Sequence, residues 1–340
     1  MATLRSDIII PEIFTPYLIE QTTFRDAFLA SGVVQPMAEL NASEDGGDYV
    51  NVPFFKANLT GDFEVLTDST SLTPGKITAD KQVAVVLHRG RAFESRDLAA
   101  LAAGADPMAA IGAKVADYIA NQRQKDLIKC LEGVFGGLTS NSGAAFIDLS
   151  FDKTGQTALG PRQVAKARAL LGDQGDKLTA VGMHSAVYYD LVERKAIDYI
   201  TNSEARLATA ATGASTINAV GGSIAAAYGG DNAVPLYMGL RVIVSDDLAP
   251  TSTNYPVYFF TQGAIASGEQ MGMQTETDRD ILAKSDAMSI DLHYCYHPVG
   301  AKFVGTTNPT PAQLATIGNW TKVYELKNLG IVRATVTSNF

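Results

Sequence analysis

One segment constrains this chain more than any other: residues 46–92 run extended through two arms and feed a single long helix. The first arm opens at Gly46-Gly47 and continues through Tyr49-Val50-Asn51-Val52-Pro53-Phe54-Phe55. The second returns through Gln82-Val83-Ala84-Val85-Val86-Leu87, and the stretch between them is rich in Thr, Ser, Asp, Asn, Pro and Gly. On the return arm Val83, Val85 and Leu87 point to one face, and Gln82, Ala84 and Val86 to the other. A two-stranded hairpin on its own is marginal in water. With no evident core of its own, this one is expected to lie on a neighbouring copy of the chain. That expectation favours an assembly protein over a self-contained enzyme.

Bulk properties narrow the field further. A chain of 340 residues can bury roughly three quarters of its unfolded surface, so it needs no covalent staple. Hydrophobic residues make up 46% and charged residues 19%, which is ordinary for a globular protein and excludes wholesale disorder. The net charge is −9, from 36 acidic and 27 basic residues, and no basic stripe interleaved with aromatics occurs. The footprint of a tight nucleic-acid reader is therefore missing. Cys130 and Cys295, the only two cysteines, give no disulfide framework and point to a reducing compartment. Ile8-Ile9-Ile10 before Pro11 is too short for a signal-peptide core. Residues 98–116 are broken by Gly104, Asp106, Pro107 and Lys114, so they do not read as a membrane span. The expectation is a soluble protein, cytoplasmic when made.

Along the chain, residues 1–45 read as an arm, with a helix expected over 16–30 that includes Leu18, Ile19 and Phe28. A short Ala-rich helix should end at Gly104. Asp106-Pro107 then gives a strong helix start, cap followed by proline. Met108, Ile111, Val115, Tyr118 and Ile119 form a stripe at helical spacing. Residues Asn121 to Asp126 interrupt it, and Leu127, Ile128, Leu131, Val134 and Phe135 resume it before Gly136-Gly137. A helix over 107–135 would be about 43 Å long, a spine for other elements, with a bend or an exposed middle at the interruption. Residues 139–160 read as loop.

A helix over 161–171 should turn Val164, Ala167, Leu170 and Leu171 inward. A buried strand over 178–183 leads into a helix over 185–194, a compact α/β layer. Residues 203–232, biased to Ala, Gly, Ser and Thr, read as a loop, lid or contact surface. Strands follow over 236–244, 256–260 and 263–274. The clearest spans 287–297, with Met288, Ile290, Leu292, Tyr294 and Tyr296 on one face. It matches the spine helix in length, as in a helix-on-sheet layer.

Three constellations could carry chemistry, and each has a simpler reading. Asp291, His293, Cys295 and His297 share one face of a strand, but the first and last lie about 20 Å apart, too far for one ion. A polar sheet face explains them better. Gly182-Met183-His184-Ser185-Ala186 sits between strand and helix but lacks G-x-S-x-G, and Ser185 as a helix N-cap accounts for the pattern. Asp246-Asp247 suits a turn, and Glu276, Asp278 and Asp280 an exposed edge facing another subunit. Neither glycine-rich phosphate motif occurs. No cofactor and no metal is expected.

In the order of its parts the chain resembles the major capsid proteins of tailed bacteriophages, which use the HK97-type fold. The resemblance runs nearly end to end. It rests on Arg96-Asp97-Leu98-Ala99 with Ala105-Asp106-Pro107, on Met183-His184-Ser185, and on Val242-Ile243-Val244-Ser245-Asp246-Asp247. Glu276-Thr277-Asp278-Arg279-Asp280, His297-Pro298-Val299-Gly300 and Asn319-Trp320 complete it. It implies an α+β fold: an N-terminal arm over 1–45, an extended E-loop over 46–92, and a peripheral domain over 93–159 with the spine helix at 106–135. An axial domain over 160–250 and a return to the peripheral domain over 251–340 complete it.

The implied function is structural. Copies would assemble through pentamers and hexamers into an icosahedral shell around phage double-stranded DNA, which the acidic wall would touch weakly and without sequence specificity. A cellular compartment shell of encapsulin type is the alternative within the fold; a cytoplasmic enzyme is the alternative outside it. Expected partners are a separate scaffold protein, since the chain opens at the arm, together with portal and cement proteins, and no membrane. The expected location is the virion, after assembly in the host bacterial cytoplasm. Intersubunit contacts are expected at Phe54, Phe55, Leu59, Phe63, Leu66, Leu72 and Ile77 of the E-loop, and at Glu276, Asp278 and Arg279.

Overall fold

A computed structural model describes residues 28, 31–41, 47–56, 63, 75–97, 107–138, 143–152, 158–201 and 233–338. The helix expected over 16–30 (Phe28 apart), the Ala-rich helix before Gly104 and the segment 203–232 lie outside the described residues. In chain order, β1 (Val34–Pro36), β2 (Tyr49–Phe55), β3 (Ala79–Val85) and β4 (Leu87–Arg96) precede the long helix α1 (Pro107–Phe135). Then come β5 (Ser150–Phe151), α2 (Pro161–Leu170), β6 (Leu178–Met183), α3 (Ser185–Glu193) and β7 (Asp198–Thr201). After these run β8 (Ala233–Tyr237), β9 (Leu240–Val244), β10 (Asn254–Thr261), β11 (Ile265–Asp280), β12 (Ser285–Pro298) and β13 (Ala301–Phe303). The chain closes with the short turn α4 (Pro311–Leu314), β14 (Trp320–Lys322) and β15 (Ile331–Thr337).

The strands form three sheets. One is β1-β11-β12-β4, one is the seven-stranded β5-β15-β10-β6-β9-β8-β7, and one is β14-β13-β3-β2. The large sheet is mixed, with β6 and β9 parallel and β10 antiparallel to β6. Its central strands read as continuous apolar runs because both faces are covered; Val257, Tyr258, Phe259 and Phe260 of β10 are all fully buried.

Helix α1 occupies residues 107–135, as its stripe predicts. Its two halves serve different cores. Val115, Ala116 and Ile119 rest on Met288 and Ile290 of β12, with Phe93 of β4 beside them. Leu127, Ile128, Leu131, Val134 and Phe135 enter the main core around the seven-stranded sheet. Each such side chain contributes about 1.5–3 kcal/mol of burial. The helix is continuous through the polar interruption, where Asn121, Gln122 and Lys125 are exposed and other polar residues tie it down. Asp126 is buried and accepts from Arg89 Nε of β4 at 2.9 Å and from the Tyr294 hydroxyl of β12 at 2.8 Å. Gln124 donates to Ser245 Oγ at 2.9 Å and Asp247 Oδ2 at 2.6 Å. The interruption therefore marks the place where the helix passes from one sheet to the other.

Several expectations need correction. The hairpin β2–β3 does have a core of its own at its base, because β3 is covered on both faces. Val85 and Leu87 join the main core, while Ala84 and Val86 join Val50, Leu40, Ala266 and Cys295. Residues 236–244 are not one strand but the hairpin β8–β9, turning at Met238-Gly239 with both φ angles positive. Strand β11 runs on to Asp280, so the acidic cluster is part of it. Leu170 is exposed rather than inward, since α2 ends there and Leu171 takes the buried position. Part of the expected loop over 139–160 is ordered into the core: Phe146 and Leu149 are buried and β5 pairs with β15. Cys295 and His297 are buried, so only the first half of that β12 face is a polar surface. Among the described residues, no helix is long and apolar enough to cross a membrane.

Candidate assembly surfaces

Two elements reach away from the cores and end in side chains that no described residue covers. The first is the hairpin β2–β3, paired in register from Tyr49↔Val85 to Phe55↔Ala79 and continued by a bond from Lys56 N to Thr78 O of 2.8 Å. Strand β2 is the sheet's outer strand, and it carries Pro53, which has no N–H to offer and so blocks indiscriminate edge pairing. Phe54 turns back onto the body, edge-on to Tyr324 with ring centroids 4.8 Å apart. Phe55, 71% exposed, and Ile77, 56% exposed, do not. Phe63 is fully exposed. Leu59, Leu66 and Leu72 lie outside the described residues.

The second is the far end of β11–β12. Their ladder continues to Asp280↔Ser285, and Glu276, Asp278 and Arg279 are exposed along it. Arg279 grips its own chain: Nη1 donates to both Asp286 carboxylate oxygens at 2.9 and 3.1 Å, and Nη2 to Asp97 Oδ2 at 2.7 Å. Bidentate pairing of this kind fixes geometry, and it holds the guanidinium pKa above its ordinary value. Asp280 Oδ1 accepts from the Leu282 and Ala283 amides at 2.8 and 3.1 Å, and these backbone donors hold its carboxyl below the usual range. On that braced turn stand Ile281 and Leu282, 80% and 97% exposed. The sequence reading missed this pair. The available signal was two large aliphatics set, with Ala283, between Asp280 and Lys284 in a charged and polar stretch.

The groups that could carry chemistry are otherwise occupied. His184, not Ser185, is the N-cap of α3: its Nδ1 accepts from Ala186 N at 3.0 Å, and Ser185 Oγ lies farther off, 3.5 Å from the same nitrogen. Among the described residues no three His, Cys, Asp or Glu side chains converge as metal ligands. Burial pushes the Cys295 thiol up to about 12, and it raises that of Cys130 as well, so neither is a nucleophile at neutral pH. A cavity of about 340 Å³ beside the end of α1 is lined by Lys129, Glu132 and Arg333 among others. Lys129 pairs with Glu132 at 2.6 Å, and Arg333 is spent on backbone carbonyls.

Comparison with known proteins decides what kind of molecule carries these projections. A family model described as Gp13-like, major capsid protein 13-like, matches residues 37–330. The chain belongs to that family. The capsid protein is 35% identical to the major capsid protein of Bacillus phage SPP1, over 96% of each chain. Among solved structures its fold is similar to the capsid asymmetric unit of cyanophage Pam1, with TM-score 0.57, 14% identity and 92% of each chain covered. It is likewise similar to the capsid of Ralstonia phage GP4, with TM-score 0.53, 10% identity and 91% and 88% covered. The fold is thus the expected HK97-type α+β capsid fold. The capsid protein is a structural component of the virion and not an enzyme.

Proposed function

We propose that this capsid protein assembles through pentamers and hexamers into an icosahedral shell that encloses double-stranded DNA. The observation that carries the reading is the placement of bare apolar side chains at the ends of two elements whose bases are firmly bedded. Phe55 and Ile77 stand on a hairpin anchored by Val83 to Leu87, and Ile281 and Leu282 on a turn braced by Arg279. Such geometry suits heterologous contacts, each subunit laying its projection on the next until the ring or shell closes. In this reading residues 1–45 are the arm and 46–92 the E-loop. Residues 93–159 and 251–340 form the peripheral domain, and 160–250 the axial domain. Phe55, Phe63 and Ile77 contact a neighbour, along with Leu59, Leu66, Leu72, Glu276 and Asp278, while Phe54 and Arg279 set the angles of the elements that carry them. The net charge of −9 supports a wall that touches packed DNA without gripping it. Scaffold, portal and cement proteins are the remaining partners.

The test is the double variant Phe55→Asp, Ile77→Asp. Both positions are exposed, so thermal unfolding should move by no more than about 1 kcal/mol equivalent. Sedimentation of the variant should show subunits or small rings where the parent gives shells. Parent-like shells from the variant would remove the hairpin from the interface.

A further inference from the structure

Three of the chain's four histidines gather where the β2–β3 hairpin joins the body. His88, near the start of β4, faces His293 across the β4–β12 ladder, with ring centroids 4.2 Å apart and planes at 88°. His88 Nε2 lies 3.3 Å from Asp48 Oδ1, and the Asp48 carbonyl accepts from Val86 N at 2.9 Å. The His88 amide donates to Asn308 Oδ1 at 3.1 Å. His88 thus meets the residue before β2 through its ring and the loop after β13 through its backbone amide. On β3 itself, Gln82 Oε1 lies 3.3 Å from His297 Nε2 and accepts from Gly300 N at 2.9 Å, while Gln82 Nε2 donates to the Tyr324 hydroxyl at 2.7 Å.

We propose that this histidine cluster is a proton-responsive clamp, holding the hairpin base to β12 when neutral and releasing it when protonated. Edge-to-face contact of two neutral imidazoles is favourable; two imidazolium rings at the same spacing repel. The charged groups facing the pair are few. Asp48 stands on the hairpin side and Asp291 on β12; Arg89, next to His88 on β4, is committed to Asp126 of α1. Any proton on His293 must enter against the His88 ring.

Burial, with His88 adding to it and Asp291 opposing, holds His293 below the usual histidine range. Burial pushes His297 down to about 4, partly offset by the Ala301 backbone. Both depressed values mean that the folded base binds fewer protons than the open one. The clamp is therefore intact above about pH 6.5, the ordinary histidine value, and weakens as pH falls below it. His293 and His297 both contribute from about pH 6.5 downward, and the share of His297 is complete only as pH approaches 4. The inference concerns a hinge within one chain and stands whether or not the hairpin lies on a neighbour.

The test is amide hydrogen exchange of the full-length chain at pH 7.5 and pH 5.0, corrected for intrinsic rates, with the assembly state held constant and checked by sedimentation. Amides over 79–88 should exchange about fivefold faster or more at pH 5.0, while those of β6 and β10 stay unchanged. His293→Gln should remove part of that rise and leave the share of His297, and His184→Asn, which keeps a capping acceptor on α3, should leave it whole. Asp48→Asn should enlarge it, because the carboxylate that faces the imidazole pair is then gone. A parent with no rise, a His293→Gln chain that rises equally, or a smaller rise in Asp48→Asn would each overturn the clamp.

Discussion

Arg333 is the residue on which the end of the spine depends. It sits in β15, flanked by Ile331, Val332, Ala334 and Val336, and is as buried as they are. Its guanidinium donates to the carbonyls of Phe135, Gly136 and Gly137, and its Nε to Ser150 Oγ at 3.2 Å. A helix leaves its last carbonyls unpaired and carries partial negative charge there. A cation placed at that end satisfies both, although burial lowers its pKa. Arg333→Met would keep the volume and strip the donors, leaving three carbonyls facing an apolar wall. We expect a loss of about 3 kcal/mol or more in denaturant unfolding. A loss under about 1 kcal/mol would mean that water reaches the helix end freely.

At the scale of elements, the spine is also held from outside by a contact that only glycine permits. Trp320 Nε1 donates to Leu314 O at 2.8 Å directly over Gly133, and a β-carbon there would collide with both groups. Gly133→Ala should raise helix propensity by about 1 kcal/mol, yet the forced displacement of α4 and Trp320 should cost about 1–3 kcal/mol. The prediction is a net loss of thermal stability with a blue- or red-shifted Trp320 fluorescence, Trp320 being the chain's single tryptophan. A more stable variant with unchanged emission would show that the contact yields easily.

The spine itself was legible because its signals are local: a proline start, a stripe of period 3.6 and a Gly136-Gly137 stop. Strand β12 was legible for the same reason, through alternation from Met288 to Tyr296. What binds elements together was not. Nothing near Arg333 in sequence announces that its partners lie at residues 135–137, and nothing near Asp126 announces Arg89 and Tyr294. The burial of the Ala84 face of β3 depends on Leu40, Ala266 and Cys295, brought in from three other segments, and that of the Val85 face on the main core. Reading that arm as coreless followed from looking at the hairpin alone. Of the expected contact residues, Phe55 and Ile77 are exposed, whereas the inward turn of Phe54 depends on Tyr324, distant in sequence.

On the scale of the whole molecule, a spine shared between two sheets makes the subunit stiff along about 43 Å, while its exposed apolar side chains stand at the ends of projections. In the proposed shell, a body built so would resist deformation across its middle and make contacts at its extremities. The central claim is that these contacts close. The most direct measurement is negative-stain electron microscopy, with sedimentation, of the full chain expressed alone and with neighbouring phage genes. The account predicts closed shells, or rings of five and six that close when a partner is supplied. A monomer or dimer that persists under every one of those conditions would contradict it.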